Sequence, residues 1–169
     1  KFQGTYSPLL VKPSRRAIAM IKHRLTPIVS GLLLAALIAG CAVNPVTGRN
    51  ELSLLDETQE INLGTNQYGP TQQSQGGPYT ADPELSEYVS KVGQRLARVS
   101  DRSLPYEFVI IDDSTPNAWA LPGGKIGINR GLLVRLNSEA ELAAVLSHEI
   151  VHAAARHSAK SIERGLLVD

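Results

Sequence analysis

The sequence predicts a domain that combines α-helices with a small number of β-strands. Three stretches of the 169-residue chain carry this prediction: a helical pattern that begins at Asp82-Pro83, short strand-like runs between residues 106 and 129, and a long helical pattern that begins at Ser138. Apolar residues recur at helical spacing in the first and last of these stretches, and they cluster or alternate in the middle one. The length is sufficient for one modest domain.

Two helices are predicted before the strands. The first begins at Asp56, which is suited to capping, and acidic residues fill its first turn, while Gly64 offers a stop. Residues 65–81 are rich in Gln, Gly, Pro and Thr, and they predict a loop that serves either as a plain linker or as a functional flap. The second helix begins at Asp82, with Pro83 at its first position, where proline is favoured.

Three strands and a final helix are predicted next. Residues 106–111 (YEFVII) form the first strand, and residues 117–121 and 125–129 form a hairpin around a Pro-Gly-Gly turn. Ser138 then opens the final helix, because Ser138 and Glu141 have the spacing of a capping box. That helix is expected to run without a break to about residue 164.

The second arm of the hairpin, KIGIN, alternates in character. Ile126 and Ile128 point to one side of the strand, whereas Lys125, Gly127 and Asn129 point to the other. This alternation predicts a half-buried strand near the edge of a sheet. The glycine also leaves space for another backbone to approach.

Residues 1–40 differ in composition from the rest of the chain. They carry six basic side chains and no acidic one, whereas the remainder has 11 basic residues against 16 acidic ones, a net charge of −5. From Met20, two to three positive charges precede an apolar run at residues 28–39, which is the layout of a secretory signal. We therefore expect residues 1–40 to be a leader with a signal peptide whose true start is Met20. The acidic body has no basic stripe to follow a phosphate backbone, so no nucleic-acid partner is expected.

The apolar run ends at Cys41, the only cysteine of the chain. The residues IAGC resemble a bacterial lipobox, in which the cysteine becomes a lipidated N-terminus; the alternative is a chance buried cysteine. A lipid on Cys41 would anchor the protein to a membrane without spanning it. In the sorting pattern of such lipoproteins, an alanine at position 42 favours the outer membrane. The expected location is therefore the cell envelope, as an outer-membrane lipoprotein that faces the periplasm.

Three of the four histidines lie within residues 147–157, SHEIVHAAARH. His148, Glu149 and His152 form the pattern H-E-x-x-H inside the final predicted helix. Helical positions four apart differ by only about 40° in direction, so both imidazoles point to one spot, as two ligands of a tetrahedral zinc ion require. Glu149 is rotated by about 100° and can act on water without being a ligand. The alternative is a set of surface histidines beside a helix-compatible glutamate.

Two histidines leave the ligand set of zinc incomplete. His157 lies about 180° from His148 around a continuous helix, and Ala155 stands where a glycine would have to turn the chain back. Glu163 lies about 16 Å from His152 along the same axis. Neither His157 nor Glu163 is therefore expected to be a ligand. A third protein ligand for one zinc ion per chain is expected beyond residue 169, in a protein of which this sequence is a fragment.

Longer stretches of the chain resemble a family of zinc metallopeptidases. The stretches are NPVTGRNELSLLDETQEINLG, DPELSEYVSKVGQRLA, NAWALPGGKIGINRGLL and NSEAELAAVLSHEIVHAAARH. They are similar to the HtpX-like, CAAX-prenyl-protease-related metallopeptidases, and within them to the bacterial lipoprotein branch, which is BepA- and LoiP-like. The resemblance implies an α+β gluzincin domain, in which a small sheet with an edge strand lies beside the HExxH helix and a further helix gives a glutamate as the third ligand. It implies that His148 and His152 bind zinc and that Glu149 is the catalytic base.

The resemblance also implies a substrate site and a division of the chain. An extended peptide would lie along the KIGI strand, which makes residues 125–129 the substrate-binding candidates. Residues 41–81 would be a lipid-anchored N-terminal segment with a short helix and a flexible loop. Residues 82–169 would be the N-terminal part of the catalytic domain.

The function implied by the resemblance is zinc-dependent hydrolysis of peptide bonds in unfolded or misfolded cell-envelope proteins. Envelope assembly proteins are further expected partners. One rival is a lipid-anchored chaperone or binding module that keeps the fold without hydrolysis, and a second is a structural lipoprotein without metal. A digestion assay separates the first rival from a peptidase, and zinc analysis separates the second.

Overall fold

A computed structural model describes residues 41–168, except for the side chains of residues 41, 42, 52 and 166–168. The predicted leader, residues 1–40, lies outside the described residues. None of the helices within residues 41–168 combines the length and the apolar character that a membrane span requires. The helices there are α1 (Glu57–Ser74), α2 (Pro83–Ala97), α3 (Arg130–Leu133), α4 (Glu139–Ala154) and α5 (His157–Val168). The strands there are β1 (Cys41–Val43), β2 (Asn50–Leu52), β3 (Glu107–Ile111), β4 (Ala118–Leu121) and β5 (Lys125–Asn129).

The larger sheet has three strands in the order β3-β5-β4. β3 runs parallel to β5, and β4 forms an antiparallel hairpin with β5, in which Trp119 lies opposite Gly127. The hairpin turns at Pro122–Gly124, at the place that its sequence predicted. β1 and β2 form a separate antiparallel pair. Helices and a small sheet therefore occur together, which confirms the predicted α+β class.

β5 is the central strand of this sheet, so the prediction of an edge strand was wrong. Both of its neighbours are hydrogen-bonded to it, and all five of its residues are buried. Its polar side chains find local partners, because Lys125 forms an ion pair with Glu107 and Asn129 Nδ2 donates to the Thr115 carbonyl. Alternation in KIGIN therefore belongs to a strand that is covered on both faces. The backbone edges of Lys125, Ile126, Gly127, Ile128 and Asn129 are therefore taken up by β3 and β4, and a substrate-binding role for these five residues stays a prediction.

α1 begins where the sequence predicted. Asp56 Oδ1 accepts a hydrogen bond from the Gln59 amide at 2.8 Å, and Gln59 Oε1 accepts one from the Asp56 amide at 2.9 Å. These two bonds form a complete capping box, which satisfies amide groups that the first helical turn leaves free.

α1 then continues through Gly64 and Pro70 to Ser74, so the predicted stop at Gly64 and most of the predicted loop at residues 65–81 were wrong. Gly64 is the point where α1 meets the β4–β5 turn. A Cβ at this position would lie 1.8 Å from the carbonyl oxygen of Pro122. Close approach of two backbones, and not helix termination, is therefore the reason for this glycine. This contact joins α1 to the later elements, and within residues 41–168 they form one compact unit.

The predicted starts of α2 and α4 are confirmed. Asp82 Oδ1 accepts from the Leu85 amide at 2.9 Å, and Ser138 Oγ accepts from the Glu141 amide at 3.2 Å. The Glu141 carboxylate accepts from the Asn137 amide instead of completing the predicted capping box. Both helices pack with the sheet around one core, whose buried members are Val89, Val92, Tyr106, Ile110, Ile126, Ile128, Leu142, Leu146, Ile150 and Ala153.

The final predicted helix is in fact two helices. α4 ends at Ala154, Arg156 has a φ of 62°, and α5 begins at His157. The prediction of an unbroken helix to about residue 164 was therefore wrong. The break changes the direction of every side chain after it, including that of His157.

Candidate functional site

The two histidines of the HExxH pattern lie side by side near the C-terminal end of α4. Nε2 of His148 is 2.9 Å from Nε2 of His152, and the ring centroids are 4.4 Å apart. The separation of one helical turn brings the rings together, because α4 is unbroken between the two residues. α4 packs against β4 and β5, so the pair is supported from the side of the sheet.

Glu149 is buried beside this pair, whereas His148 is exposed and His152 is half-buried. Burial raises the pKa of the Glu149 carboxyl above its ordinary value, and the charges of His152 and His148 oppose part of that shift. A carboxylate with a raised pKa holds a transferred proton more readily than an exposed one. The residue is therefore chemically suited to act as a general base and then as a general acid.

His148 and His152 can supply two of the four ligands of a tetrahedral zinc ion. Two imidazole nitrogens bound to one tetrahedral zinc ion are about 3.3 Å apart. The two Nε2 atoms, at 2.9 Å, are already close to that separation. Among residues 41–168, no group of three or more His, Cys, Asp or Glu side chains is arranged to hold a metal ion. The pair therefore accounts for two donors, and the identity of a third stays a prediction.

His157 lies directly beside His152, which the sequence did not predict. Its Nδ1 is 2.5 Å from Nδ1 of His152, and the two ring centroids are 4.7 Å apart. A continuous helix would have directed His157 away from the pair, but the break before it returns its ring to His152. His148 and His157 approach opposite nitrogens of the His152 ring. For this reason, His157 does not converge with His148 on a single metal position.

The turn between α4 and α5 depends on Arg156. A left-handed backbone costs a non-glycine residue about 1–2 kcal/mol, and Arg156 adopts it with a φ of 62°. The guanidinium donates to Ser53 Oγ and to the Leu55 carbonyl, the latter at 2.6 Å. Its Nε lies 3.0 Å from Glu60 Oε2, but the N–H is not aligned with that oxygen, so this contact is an ion pair without a hydrogen bond. These contacts offset the backbone strain.

Two buried carboxylates complete the surroundings of Arg156. Glu60 on α1 is fully buried and accepts two hydrogen bonds from Arg102, each at 3.1 Å. Glu163 Oε1 accepts from the Leu54 and Leu55 amides at 3.0 and 2.9 Å. The Glu163 carboxylate is therefore engaged by the segment before α1. This network joins α1, that segment and the α4–α5 turn.

β4 lies at one edge of the sheet and packs against α4. Its residue Ala120 points its carbonyl away from β5, because that oxygen accepts from Ser158 Oγ at 2.6 Å. Amide and carbonyl directions alternate along an antiparallel strand. The backbone groups of Ala118 therefore also point outward. Within the described range, β4 pairs with β5 alone, so the outward groups of Ala118 and the amide of Ala120 have no partner strand there, whereas Ser158 occupies the Ala120 carbonyl.

Cys41 begins β1, but its side chain lies outside the described residues, and its lipidation stays a prediction. The loop that follows β1 is tied to the turn after the HExxH motif. Asn44 is buried, and its Nδ2 donates to the Ala155 carbonyl at 3.1 Å and to Glu51 Oε2 at 2.9 Å. The segment next to the candidate anchor is thus in direct contact with the α4–α5 turn.

Comparisons with known proteins find similarity to metallopeptidases. The model of peptidase family M48 matches residues 83–169. The chain is 42% identical over 87 residues to a Vibrio cholerae protein named as a beta-barrel assembly-enhancing protease, which covers 51% of the chain and 18% of that protein. It is 50% identical over 76 residues to the mitochondrial metalloendopeptidase OMA1 of Schizosaccharomyces pombe, covering 44% of the chain and 23% of that relative. It is 32% identical over 120 residues to the beta-barrel assembly-enhancing protease of Escherichia coli, covering 70% of the chain and 24% of that relative. The chain therefore spans less than a quarter of the length of each of these relatives.

Proposed function

Because the chain belongs to peptidase family M48, we propose that it contributes the zinc-binding helix of a metalloendopeptidase that hydrolyses unfolded or misfolded proteins of the cell envelope. The observation that carries the proposal is the 2.9 Å approach of the His148 and His152 Nε2 atoms. A buried glutamate, Glu149, lies in the same helical turn. One turn of helix brings any such pair of histidines together, but surface histidines would not need a desolvated carboxylate beside them.

His148 and His152 would hold the ion through Nε2. When bound, zinc supplies Lewis acidity, which activates water and polarises the scissile carbonyl. Glu149 accepts the proton of the attacking water and gives it to the leaving amine. The raised pKa of Glu149 favours this double role, because the carboxyl keeps the proton between the two steps.

The substrate peptide is proposed to lie along β4, since β5 has no unpaired edge. The outward backbone groups of Ala118 and the amide of Ala120 can pair with an extended peptide, while Ser158 occupies the Ala120 carbonyl. Recognition through main-chain hydrogen bonds accepts many sequences, which suits unfolded substrates. Because α4 packs against β4, a peptide on this edge would pass close to the histidine pair.

The cell envelope is proposed as the location on two grounds. Bacterial relatives are named as beta-barrel assembly-enhancing proteases, and the residues before Cys41 resemble a lipobox. We propose that Cys41 carries a lipid anchor in the outer membrane, with the domain in the periplasm. Proteins of envelope assembly are then its nearest partners.

A digestion assay with full-length protein tests this proposal. The substrates are casein and an unfolded outer-membrane porin, and the variants are Glu149→Gln and Glu141→Gln. Both glutamates are on α4, but Glu141 is exposed near the start of the helix, which makes it a matched control. We expect Glu149→Gln to keep zinc and to lose about 100- to 10,000-fold in rate, while Glu141→Gln cleaves as the unsubstituted protein does.

The outcomes separate the rivals. Cleavage that survives Glu149→Gln would contradict the catalytic role of this residue. Unsubstituted protein that binds unfolded porin and holds zinc, but never cleaves, would favour a chaperone or binding module. Absence of zinc from the full-length protein would favour a structural lipoprotein.

A further inference from the structure

We propose that His157 is a positioning residue, which fixes the orientation of the His152 imidazole by accepting a hydrogen bond from its Nδ1–H. The inference rests on the proposed function, because it gives His152 Nε2 the task of binding metal. It assigns a role to a side chain that the motif itself does not include.

The geometry engages both nitrogens of the His152 ring. Nε2 lies 2.9 Å from Nε2 of His148, and Nδ1 lies 2.5 Å from Nδ1 of His157. In the described part of the chain, His157 is the one hydrogen-bond partner of His152 Nδ1. The edge-to-face arrangement of the two rings, with an interplanar angle of 63°, places them in van der Waals contact as well.

The position of the protons follows from the metal chemistry. A contact between two ring nitrogens needs one proton, because one nitrogen donates and the other accepts. A histidine that binds metal through Nε2 carries its remaining proton on Nδ1. His152 therefore donates, and His157 accepts through Nδ1 with its own proton on Nε2. Metal-binding histidines almost always have such a partner, which fixes the tautomer and the ring orientation.

His157 is itself held from both sides along the chain. Before it, Arg156 is bound to Leu55, Ser53 and Glu60, which maintains the left-handed turn. After it, Ser158 Oγ donates to the Ala120 carbonyl of β4 at 2.6 Å. The ring of His157 is thus presented from a fixed turn, and not from the continuation of α4. This explains why a strained residue stands immediately before His157.

Two substitutions in the full-length protein test the role. His157→Phe keeps a flat ring but removes the acceptor, whereas His157→Asn keeps an acceptor oxygen near the position of Nδ1. The measurement is the zinc dissociation constant, determined by competition with a chromogenic chelator. We expect His157→Phe to weaken zinc binding by about 10- to 100-fold, and His157→Asn to restore most of the loss.

The position of the His152 proton provides a second measurement that needs no variant. Long-range ¹H–¹⁵N spectra of the zinc-free, unsubstituted protein should show the proton of His152 on Nδ1. A proton on Nε2 would overturn the proposal, whether or not His157→Phe folds. Equal zinc affinity of folded His157→Phe and unsubstituted protein would also overturn it, but would leave the proposed peptidase intact. Failure of the unsubstituted protein to bind zinc would instead overturn the proposed function, and this inference with it.

Discussion

Gly64→Ala tests the contact through which α1 supports the β4–β5 turn. The added Cβ would lie 1.8 Å from the Pro122 carbonyl oxygen and 2.7 Å from its carbonyl carbon. Both are backbone atoms, so no side-chain rotation relieves the clash. The helix and the turn would have to separate by about 1.5 Å to restore an ordinary contact distance.

The magnitude follows from two opposing effects. Replacing glycine by alanine inside a helix gains about 0.5–1 kcal/mol, whereas overpacking against an immobile neighbour costs about 3 kcal/mol. We expect Gly64→Ala to lower the free energy of unfolding by about 2 kcal/mol on this balance. Gly165 in α5 is the matched control, because an added Cβ there meets nothing within 4 Å. Gly165→Ala should be neutral or stabilising by up to about 1 kcal/mol.

The assay is urea unfolding of residues 41–169, followed by far-ultraviolet circular dichroism. Equal m-values would show that both variants unfold from the same native state. If Gly64→Ala is as stable as the control variant, α1 does not meet the turn at this point. That result would refute the described packing of α1 against the β4–β5 turn. It would also refute the explanation that close backbone approach requires a glycine at position 64.

Three further predictions concern the turn after α4 and the metal. Arg156→Gly relieves about 1–2 kcal/mol of backbone strain but removes one partner of a buried glutamate, which costs about 3 kcal/mol. Urea unfolding should therefore show a net loss of about 1–2 kcal/mol, and a gain in stability would contradict the claim that the contacts of Arg156 stabilise the turn. A hydrogen bond from Lys160, and then one from Asn44, lower the pKa of Glu51 below its ordinary 4.5, so the stability it contributes is present above pH 4.5 and is lost as the pH falls through the lowered value. The difference in Tm between unsubstituted protein and Glu51→Gln should therefore shrink from pH 7 to pH 3, and a constant difference would exclude the contribution. Residues 41–169 alone should hold zinc weakly in chelator competition, because two imidazoles leave a tetrahedral set short; tight one-to-one binding would contradict this.

Local signals in the sequence predicted those parts of the fold that local physics determines. Asp82-Pro83 and Ser138 begin helices because their side chains or ring geometry satisfy the first turn without help from distant residues. The Pro122–Gly124 turn follows for the same reason, since Gly123 has a φ of 70° that favours glycine. The side-by-side position of His148 and His152 needs nothing beyond one turn of helix.

The features that the sequence did not predict depend on distant residues. Gly64 indicated a helix end. A glycine is needed there because Pro122, which lies far along the chain, approaches α1 closely in the folded state. The run of alanines before Arg156 favours a continuous helix, yet contacts with Ser53 and Leu55, more than 100 positions earlier, break it there. The predicted continuous helix therefore placed His157 on the side away from the histidine pair, whereas the break brings its ring beside His152.

The sequence did not predict the central position of β5 in the sheet, for a related reason. Alternation within KIGIN reports which side chains share a face, but it carries no information on how many strands lie beside it. The parallel strand β3 pairs with β5 through residues 107–111, which are separated from it by β4 in sequence. Ion pairing of Lys125 with Glu107 then makes burial of a polar face tolerable.

The most direct test of the account is the zinc content of the full-length protein, measured by mass spectrometry of purified samples. The comparison is between unsubstituted protein and the double variant His148→Ala, His152→Ala, with folding of both checked by circular dichroism. We predict one zinc ion per chain for the unsubstituted protein and none for the double variant. A folded double variant that retains a full equivalent of zinc would contradict the claim that these two imidazoles hold the metal.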